Sequence, residues 1–543
     1  MAREPRETSA VQTFDALIVG AGLSGLYMLH RLRALGLSTL VLEQADGVGG
    51  TWYWNRYPGA RCDIESLDYS YSFSPELEQE WTWSQRYAEQ AEILEYINYV
   101  ADRFDLRRDI LFNTRVVSAH YNDAAAHWTL ATEAGEQFVA KYCIMALGCL
   151  SAPQTPNFPG LEQFRGEWYQ TGAWPHHPVD FRGKRVAVVG TGSSGIQSIP
   201  VIARDAEHLY VFQRTPNFSV PAHNRPADPA EVQRVKAHYA QHRERNRTSH
   251  SGFLVPRSPN MERSALEVDS ATREQEYWWR WNNGGFGLTS AFNDLYSNLE
   301  ANATAAAFVH DRIREIVRDP QVAELLIPRD HPIGTKRLCV DTDYYATYNR
   351  ENVSLVNVRA TPIVGITPAG IRTTAAEYAV DILVFAIGFD AMTGPLLRID
   401  IRGSGGIALR DVWAGGPRTY LGIAIAGFPN MFTITGPGSP SVLSNMIISI
   451  EQHVEWVSEC IEYLEEHQVR KIEATVAAQD AWVDRVNQLG EETLYPLANS
   501  WYVGANIPGK PRVFMPYVGG VGTYREECAT VAEQGYAGFA LTT

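Results

Sequence analysis

Apolar and polar positions along the chain fall into one unit that occurs twice. Phe14–Val19 is a nearly continuous apolar run and predicts a short buried strand. It enters Gly20-Ala21-Gly22-Leu23-Ser24-Gly25, after which apolar residues take helical spacing to about Leu35. The run Ser38–Leu42 then predicts a second strand, ending on Glu43. Arg185–Val189, Gly190-Thr191-Gly192-Ser193-Ser194-Gly195, a helical stretch and Leu209–Phe212 repeat this order. Gln213 follows Gly195 by 18 positions, as Glu43 follows Gly25. The polar residues 1–13 read as a disordered tail.

The remaining pattern fills in around these units. Residues 49–63 combine glycine, proline and aromatics, which predicts a structured loop rather than helix or strand. Ile93, Leu94, Ile97, Val100, Ala101 and Phe104 form a helical core stripe. Cys143–Gly148 closes the first unit, and Phe164–Pro175 links it to the second. Asp228-Pro229-Ala230-Glu231 reads as a capping box with proline at the first helical position, opening a long polar helix. A loop over 247–265 follows, then helices marked by Val309, Ile313, Ile316 and Val317 and by Asp319-Pro320. Trp278, Trp279 and Trp281 fit core or interface. Residues 353–356 and 382–386 predict strands, Phe428–Ser439 a strand and turn, and Ser444–Leu464 a long helix. Trp501–Gly509 is aromatic and loop-rich, suiting either a packed loop or a cover.

These elements predict an α/β fold with two Rossmann-like dinucleotide-binding domains and a helical insertion. The expected segments are 14–150 and 381–543 for the first domain, 151–220 and 331–380 for the second, and 221–330 for the insertion.

The chemistry follows from the loops. In GxGxxG between strand and helix, glycines permit the tight turn and close backbone approach, and the helix N-terminus receives a pyrophosphate. A tight turn with incidental glycines is the plain alternative. Glu43 stands where an acid binds ribose hydroxyls, which suits FAD or NAD. The second unit carries Gln213-Arg214-Thr215 instead. A guanidinium there binds a 2′-phosphate, which suits NADPH, unless Arg214 is simply solvated. Lys336 and Arg337, after Gly334-Thr335, form a cationic pair that suits a phosphate and an anionic intermediate. Asp63 alone reads equally well as a helix cap.

Composition narrows the partners. The formal net charge of −15 over 543 residues argues against nucleic acid or an anionic membrane. The six cysteines form no CxxC pair and no zinc spacing, which suits a reducing cytoplasm and no metal site. The start carries no apolar signal core, and no run reaches the ~18 apolar residues of a membrane span. No obligate protein partner is evident.

Together these residues resemble the Baeyer–Villiger monooxygenases, a group of class B flavoprotein monooxygenases. The resemblance runs over nearly the whole chain and is strongest to the phenylacetone and steroid monooxygenase branch. It rests on both GxGxxG units, on Gly50-Thr51-Trp52…Tyr57-Pro58-Gly59…Asp63, and on Phe164, Gly166, Trp174 and Pro175 of the linker signature. Gln170 occupies the signature's histidine position. The resemblance implies FAD at Gly20, Gly22, Gly25, Glu43, Gly50, Thr51, Trp52 and Asp63. It implies NADPH at Gly190, Thr191, Gly192, Ser193, Ser194, Gly195, Arg214, Thr215, Lys336, Arg337 and Trp501. It further implies reduction of the flavin by NADPH, addition of O2 at the flavin C4a carbon, and conversion of a ketone to an ester or lactone. Arg337 matches the cation beside the reacting oxygen and Asp63 the acid that orients it. Ser441, Val442, Leu443 and Met446 match the substrate pocket. The rival readings are an N- or S-oxygenating flavin monooxygenase, a disulfide reductase lacking its cysteine pair, and a non-catalytic redox-sensing flavoprotein.

Overall fold

The computed structural model describes residues 12–543. Residues 1–11 of the expected tail lie outside the described residues. Gln12 and Thr13, assigned to that tail by their polarity, instead begin the first strand, Gln12–Val19. They pair with Phe138 and Val139 of the strand Gln137–Met145. Backbone pairing extends the strand past the point where its hydrophobicity ends.

Two sheets carry the two units. The first has eight strands, with Gln12–Val19 between Gln137–Met145 and Thr39–Leu42. The second is parallel throughout, in the order Val353–Asn357, His208–Gln213, Arg185–Val189, Ile382–Phe385, Glu167–Gln170. Central strands of such a sheet are covered on both faces, hence the continuous apolar reading of Arg185–Val189. The boundary expected at 380/381 is corrected by this sheet. Ile382–Phe385 pairs with Val186–Val189, so the second unit ends just after Phe385. The Phe164–Pro175 stretch is likewise more than a link, because Glu167–Gln170 forms an edge strand of the second sheet.

The duplication holds at the level of single atoms. Gly20 and Gly190 both have positive φ, 107° and 111°. A Cβ on Gly20 would sit 2.6 Å from the Ala146 carbonyl oxygen, and one on Gly190 would sit 2.4 Å from that of Ala386. A Cβ on Gly25 or Gly195 would collide with the Gly20 or Gly190 carbonyl, at 1.8 and 2.2 Å. Each loop therefore demands glycine at the same places for the same contacts. The helices Leu23–Ala34 and Ser193–Asp205 both start behind an extended glycine, Gly22 or Gly192.

The insertion leaves the second domain after Ser219–Pro221 and returns at Cys339–Asp341, and these two strands pair. The long helix expected after Asp228 is in fact two helices, Pro229–Lys236 and Tyr239–Thr248. The break turns Arg243 and Asn246, both buried, toward Asp68 and Ser70 of the first domain. Asp228 caps the first helix through the Ala230 N–H rather than through Glu231, so the full capping box is not made. Trp281 is buried, Trp278 lies under the Arg312 guanidinium at 4.0 Å, and Trp279 is exposed.

One further local reading changes, and two segments show structure that the sequence pattern did not announce. Thr51–Trp54 forms one helical turn within the expected loop, because its N–H groups find carbonyl partners at Gly49 and Gly50. The three-stranded antiparallel sheet Ile363–Thr367, Gly370–Thr373 and Glu377–Ala379 carries short, mixed sequences with weak alternation. The C-terminal region continues into a helix, Val521–Glu533, and a strand, Phe539–Thr542, that pairs with Lys471–Ala474. The long helix spans Met446–Glu466 and is capped by the Asn445 side chain. Among the described residues no helix is long and apolar enough to cross a membrane.

Candidate active site

A cleft of about 1430 Å³ runs between the two glycine loops. That exceeds the roughly 300–1,000 Å³ typical of a site for one drug-sized ligand. Gly20, Gly22, Glu43, Gly50, Thr51 and Trp52 border one end, and Gly190, Thr191, Gly192, Ser193, Ser194, Arg214, Thr215 and Lys336 the other. Asp63, Arg337 and Trp501 also border it. Gly25 and Gly195 lie behind their loops and set the helix start.

The first end fits a flavin dinucleotide. Gly22 and Gly50 face each other so closely that a Cβ on Gly50 would lie 2.9 Å from the Gly22 Cα. Side chains there would fill the cradle. The Glu43 carboxylate accepts from the Ala21 and Ala45 N–H groups at 2.6 and 2.8 Å, which fixes it beside the loop. Burial pushes its pKa up, and those N–H bonds oppose the shift.

The second end fits a nucleotide with an additional phosphate. Its strand ends on Gln213, not an acid, and the Gln213 amide turns away to donate to the Leu325 carbonyl at 2.8 Å. Thr191 Oγ1 instead ties the loop to the Thr215 carbonyl at 3.0 Å. Arg214, Arg359 and Asp330 gather around Lys336, and Arg359 pairs with Asp330. Burial pushes the Lys336 pKa down, with Arg214 and Arg359 adding and Asp330 opposing. Burial raises the Asp330 carboxyl, but hydrogen bonds from Arg359 and His331 outweigh it and hold it at about 2. Arg359 escaped the sequence reading. It lies far along the chain from the glycine loop, and its guanidinium donates to Thr215 Oγ1 at 3.1 Å and Asp330 at 2.8 Å.

Between the two ends stands an ion pair. Arg337 donates from Nη2 to Asp63 Oδ1 at 2.6 Å and from Nε to Asp63 Oδ2 at 3.1 Å. Its Nη1 donates to the Val442 carbonyl at 2.9 Å, and its guanidinium lies 5.1 Å from the Phe286 ring centre. Burial acts to lower the Arg337 pKa, but Asp63 and the neighbouring Tyr502 dominate and hold it above the usual arginine range. Asp63 is thus an arginine partner rather than a helix cap. Asn217, which sequence alone did not single out, holds the Arg337 carbonyl with its side-chain amide at 3.0 Å.

The expected pocket residues divide. Val442 and Met446 border the cleft. Ser441 does not, because its hydroxyl is buried against the Thr435 carbonyl. Leu443 does not border it either, and packs with Val442 and Met446 against the cluster of Cys149, Met392 and Tyr495. Beside Trp501, the Ser500 hydroxyl and the Asn506 side-chain oxygen are buried without protein partners, and both residues border the cleft. Such orphaned groups suit a polar ligand. The Gln170 amide donates to the Gln154 carbonyl in the segment joining the two domains.

Two nucleotide cradles meeting at a fixed cation define a flavoprotein oxidoreductase with two dinucleotide-binding domains. A family described as pyridine nucleotide-disulphide oxidoreductase matches residues 17–249. All six cysteines are free and buried, so no redox pair accompanies that match. A Baeyer–Villiger monooxygenase of Pseudooceanicola batsensis is 44% identical, over 96% of this chain and 95% of that protein. A phenazine N-monooxygenase of Lysobacter antibioticus is 41% identical over 97% of this chain. A solved structure of an oxidized steroid monooxygenase bound to NADP is 53% identical with a TM-score of 0.94, covering 98% of this chain and all of that one. The chain belongs to the Baeyer–Villiger monooxygenases.

Proposed function

We propose that this enzyme uses NADPH and O2 to convert aryl-aliphatic, bulky cyclic or steroid-like ketones to esters or lactones in the cytoplasm. The observation that carries this reading is Arg337, aimed by Asp63 at the junction of the two cradles. FAD, when bound, supplies the redox and oxygen-transfer chemistry.

The protein's own contribution is positioning and electrostatics. The first cradle, from Gly20 to Trp52 with Glu43, would hold FAD. The second, from Gly190 to Ser194 with Arg214, Thr215 and Lys336, would hold NADPH. Arg214 and Lys336 would pair with its 2′-phosphate. Arg337 keeps its proton across the working pH range and places fixed positive charge where negative charge develops on oxygen. Asp63 and the Val442 carbonyl prevent that guanidinium from turning away. Val442 and Met446 would supply an apolar wall for the ketone, and Trp501 would pack against the nicotinamide nucleotide.

The test incubates purified enzyme with NADPH, O2 and a panel that includes phenylacetone and bulky cyclic ketones, with product identification. Ester or lactone formation is expected. NADPH consumption giving only hydrogen peroxide across the panel would overturn the reading. The similarity to a phenazine N-monooxygenase favours one second reading, N-oxygenation, which N-heteroaromatic substrates in the same assay would reveal.

A further inference from the structure

Gln197 sits one helical turn inside the second nucleotide helix, yet its side chain serves the first domain. Gln197 Oε1 accepts from the Tyr57 hydroxyl at 2.8 Å. Gln197 Nε2 donates to the Arg61 carbonyl at 3.1 Å. Between these two bonds lies Gly59, with φ of +80°, pressed against the same turn of helix. A Cβ on Gly59 would come within 2.3 Å of the Gln197 carbonyl oxygen and 3.0 Å of Val201 Cγ2. One residue thus grips both sides of the turn Tyr57–Arg61, and that turn admits only glycine at the contact.

The turn leads directly to Asp63. Ala60 and Cys62 are tied by backbone bonds, Ala60 N–H to the Tyr57 carbonyl at 3.0 Å and Cys62 N–H to the Ala88 carbonyl at 3.3 Å. Asp63 lies two residues beyond Arg61, so the turn and its anchor at Ala88 together set the position of the Asp63 backbone. The N-terminus of the gripping helix is the second glycine loop, whose residues Gly190–Ser194 border the cleft, as do Gln197 and Tyr57 at its edge. Gln197 lies one helical turn beyond Ser193, where that helix starts. The Arg337 guanidinium takes its direction from Asp63, so the grip connects the second cradle to the cation between the cradles.

We propose that Gln197 is a positioning residue that transmits nucleotide binding at Gly190–Gly195 to Asp63, and through it to Arg337. This rests on the monooxygenase reading for its catalytic consequence, but the mechanical connection is independent of it.

The first test uses hydrogen exchange on the FAD-loaded enzyme with and without NADP⁺. NADP⁺ protects amides of both 193–199 and 57–63 in the native protein. In Gln197→Leu, which keeps a side chain of similar size and removes both bonds, protection at 193–199 persists and protection at 57–63 is lost. Protection of 57–63 that persists in Gln197→Leu overturns the proposal, whatever the enzyme does with ketones. The second test is kinetic. Gln197→Leu keeps its rate of flavin reduction at saturating NADPH, while the ester formed per NADPH falls about three- to tenfold, the scale of one or two lost neutral hydrogen bonds. Tyr57→Phe removes one bond without touching the helix and shows the same exchange signature in weaker form, which keeps the proposal testable if Gln197→Leu folds poorly. Unchanged exchange and unchanged ester yield in Tyr57→Phe, with Gln197→Leu unfolded, also counts against it.

Discussion

Arg337 and Asp63 are 274 residues apart in the chain and meet through both carboxylate oxygens, at 2.6 and 3.1 Å. Arg337 follows the insertion and Asp63 belongs to the first nucleotide domain, so their pairing registers one domain against the other. The pair is partly buried, with side chains 25% and 19% exposed. A two-point contact of this kind fixes direction as well as distance.

The pair makes the first prediction. Arg337→Ala retains flavin reduction by NADPH and loses ester formation by about 10²- to 10³-fold, the size reported for removing one preorganised group that stabilises developing oxygen charge. Asp63→Ala leaves the guanidinium without its guide and gives a smaller loss. A double-mutant cycle on ester formation shows a coupling of about 1.5–3 kcal/mol, typical of a hydrogen bond between charged groups. Additive losses would mean that Asp63 does not act through Arg337. Stopped-flow flavin bleaching and product analysis give the two readouts.

The second prediction concerns nicotinamide choice and pH. Lys336 carries its charge below its pKa, and burial, Arg214 and Arg359 together hold that pKa under the ordinary lysine range. Affinity for the 2′-phosphate is therefore present at lower pH and declines as pH rises through the Lys336 pKa. The kcat/KM for NADPH falls on that alkaline limb, and the value for NADH does not. Arg214→Ala raises the KM for NADPH by roughly 10- to 100-fold, the scale of a lost charge-assisted hydrogen bond. The KM for NADH changes little. Equal effects on the two nucleotides would place Arg214 outside the phosphate contact.

A third prediction lies away from the chemistry, in the long helix. Glu451 is buried and accepts from the Ser72 N–H and hydroxyl at 2.5 and 2.6 Å. Burial raises its pKa to about 7, against these hydrogen bonds. The folded protein then holds this proton more tightly than the unfolded chain does. The contribution favours folding below the ordinary carboxyl range and is lost as pH rises from about 4.5 toward 7. Glu451→Gln keeps an acceptor for Ser72 and removes that dependence. Relative to the native protein, its stability improves by about 1–3 kcal/mol between pH 5 and pH 8. Thermal melts at the two pH values check it, and a difference that does not change with pH would contradict the assignment.

Much of this was legible in the chain, and the exceptions share a cause. Gly20 and Gly190 announce themselves because a local strand–loop–helix pattern requires them. Arg337 and Asp63 are legible as types, and family resemblance assigns their roles, but only folding shows that they touch. Arg359, Asn217 and Gln197 carry no local signal, since each acts through a contact more than 100 residues away in the chain. Ser441 misled for the opposite reason. Its neighbours Val442 and Met446 border the cleft, but its own φ of +40° turns the hydroxyl into the core. Ile382–Phe385 fell on the wrong side of a boundary because an apolar strand names no sheet until its partners are known.

Gln170 supplies the fourth prediction. Its side-chain amide donates to the Gln154 carbonyl, while Gln154 donates from its backbone N–H to Gly388 at 3.0 Å and from its side chain to the Ile387 carbonyl at 3.2 Å. Gly172 lies close enough to Pro153 and Phe389 that a Cβ would meet both at 2.8 Å. The edge strand Glu167–Gln170 is therefore fastened to both segments that connect the domains. An amide does this without titrating, and a neutral imidazole can donate the same bond. Gln170→His accordingly retains ketone preference and, above pH 7.5, the native ratio of ester to hydrogen peroxide. Below the ordinary histidine pKa of about 6.5 the ring gains a charge that the amide never carries. The ratio in Gln170→His then acquires a pH dependence that the native enzyme lacks. Gln170→Leu removes the bond and lowers the ester fraction at every pH. If the leucine variant partitions NADPH like the native enzyme, this fastening does not couple the domains, and the glutamine is only a tolerated replacement within an edge strand.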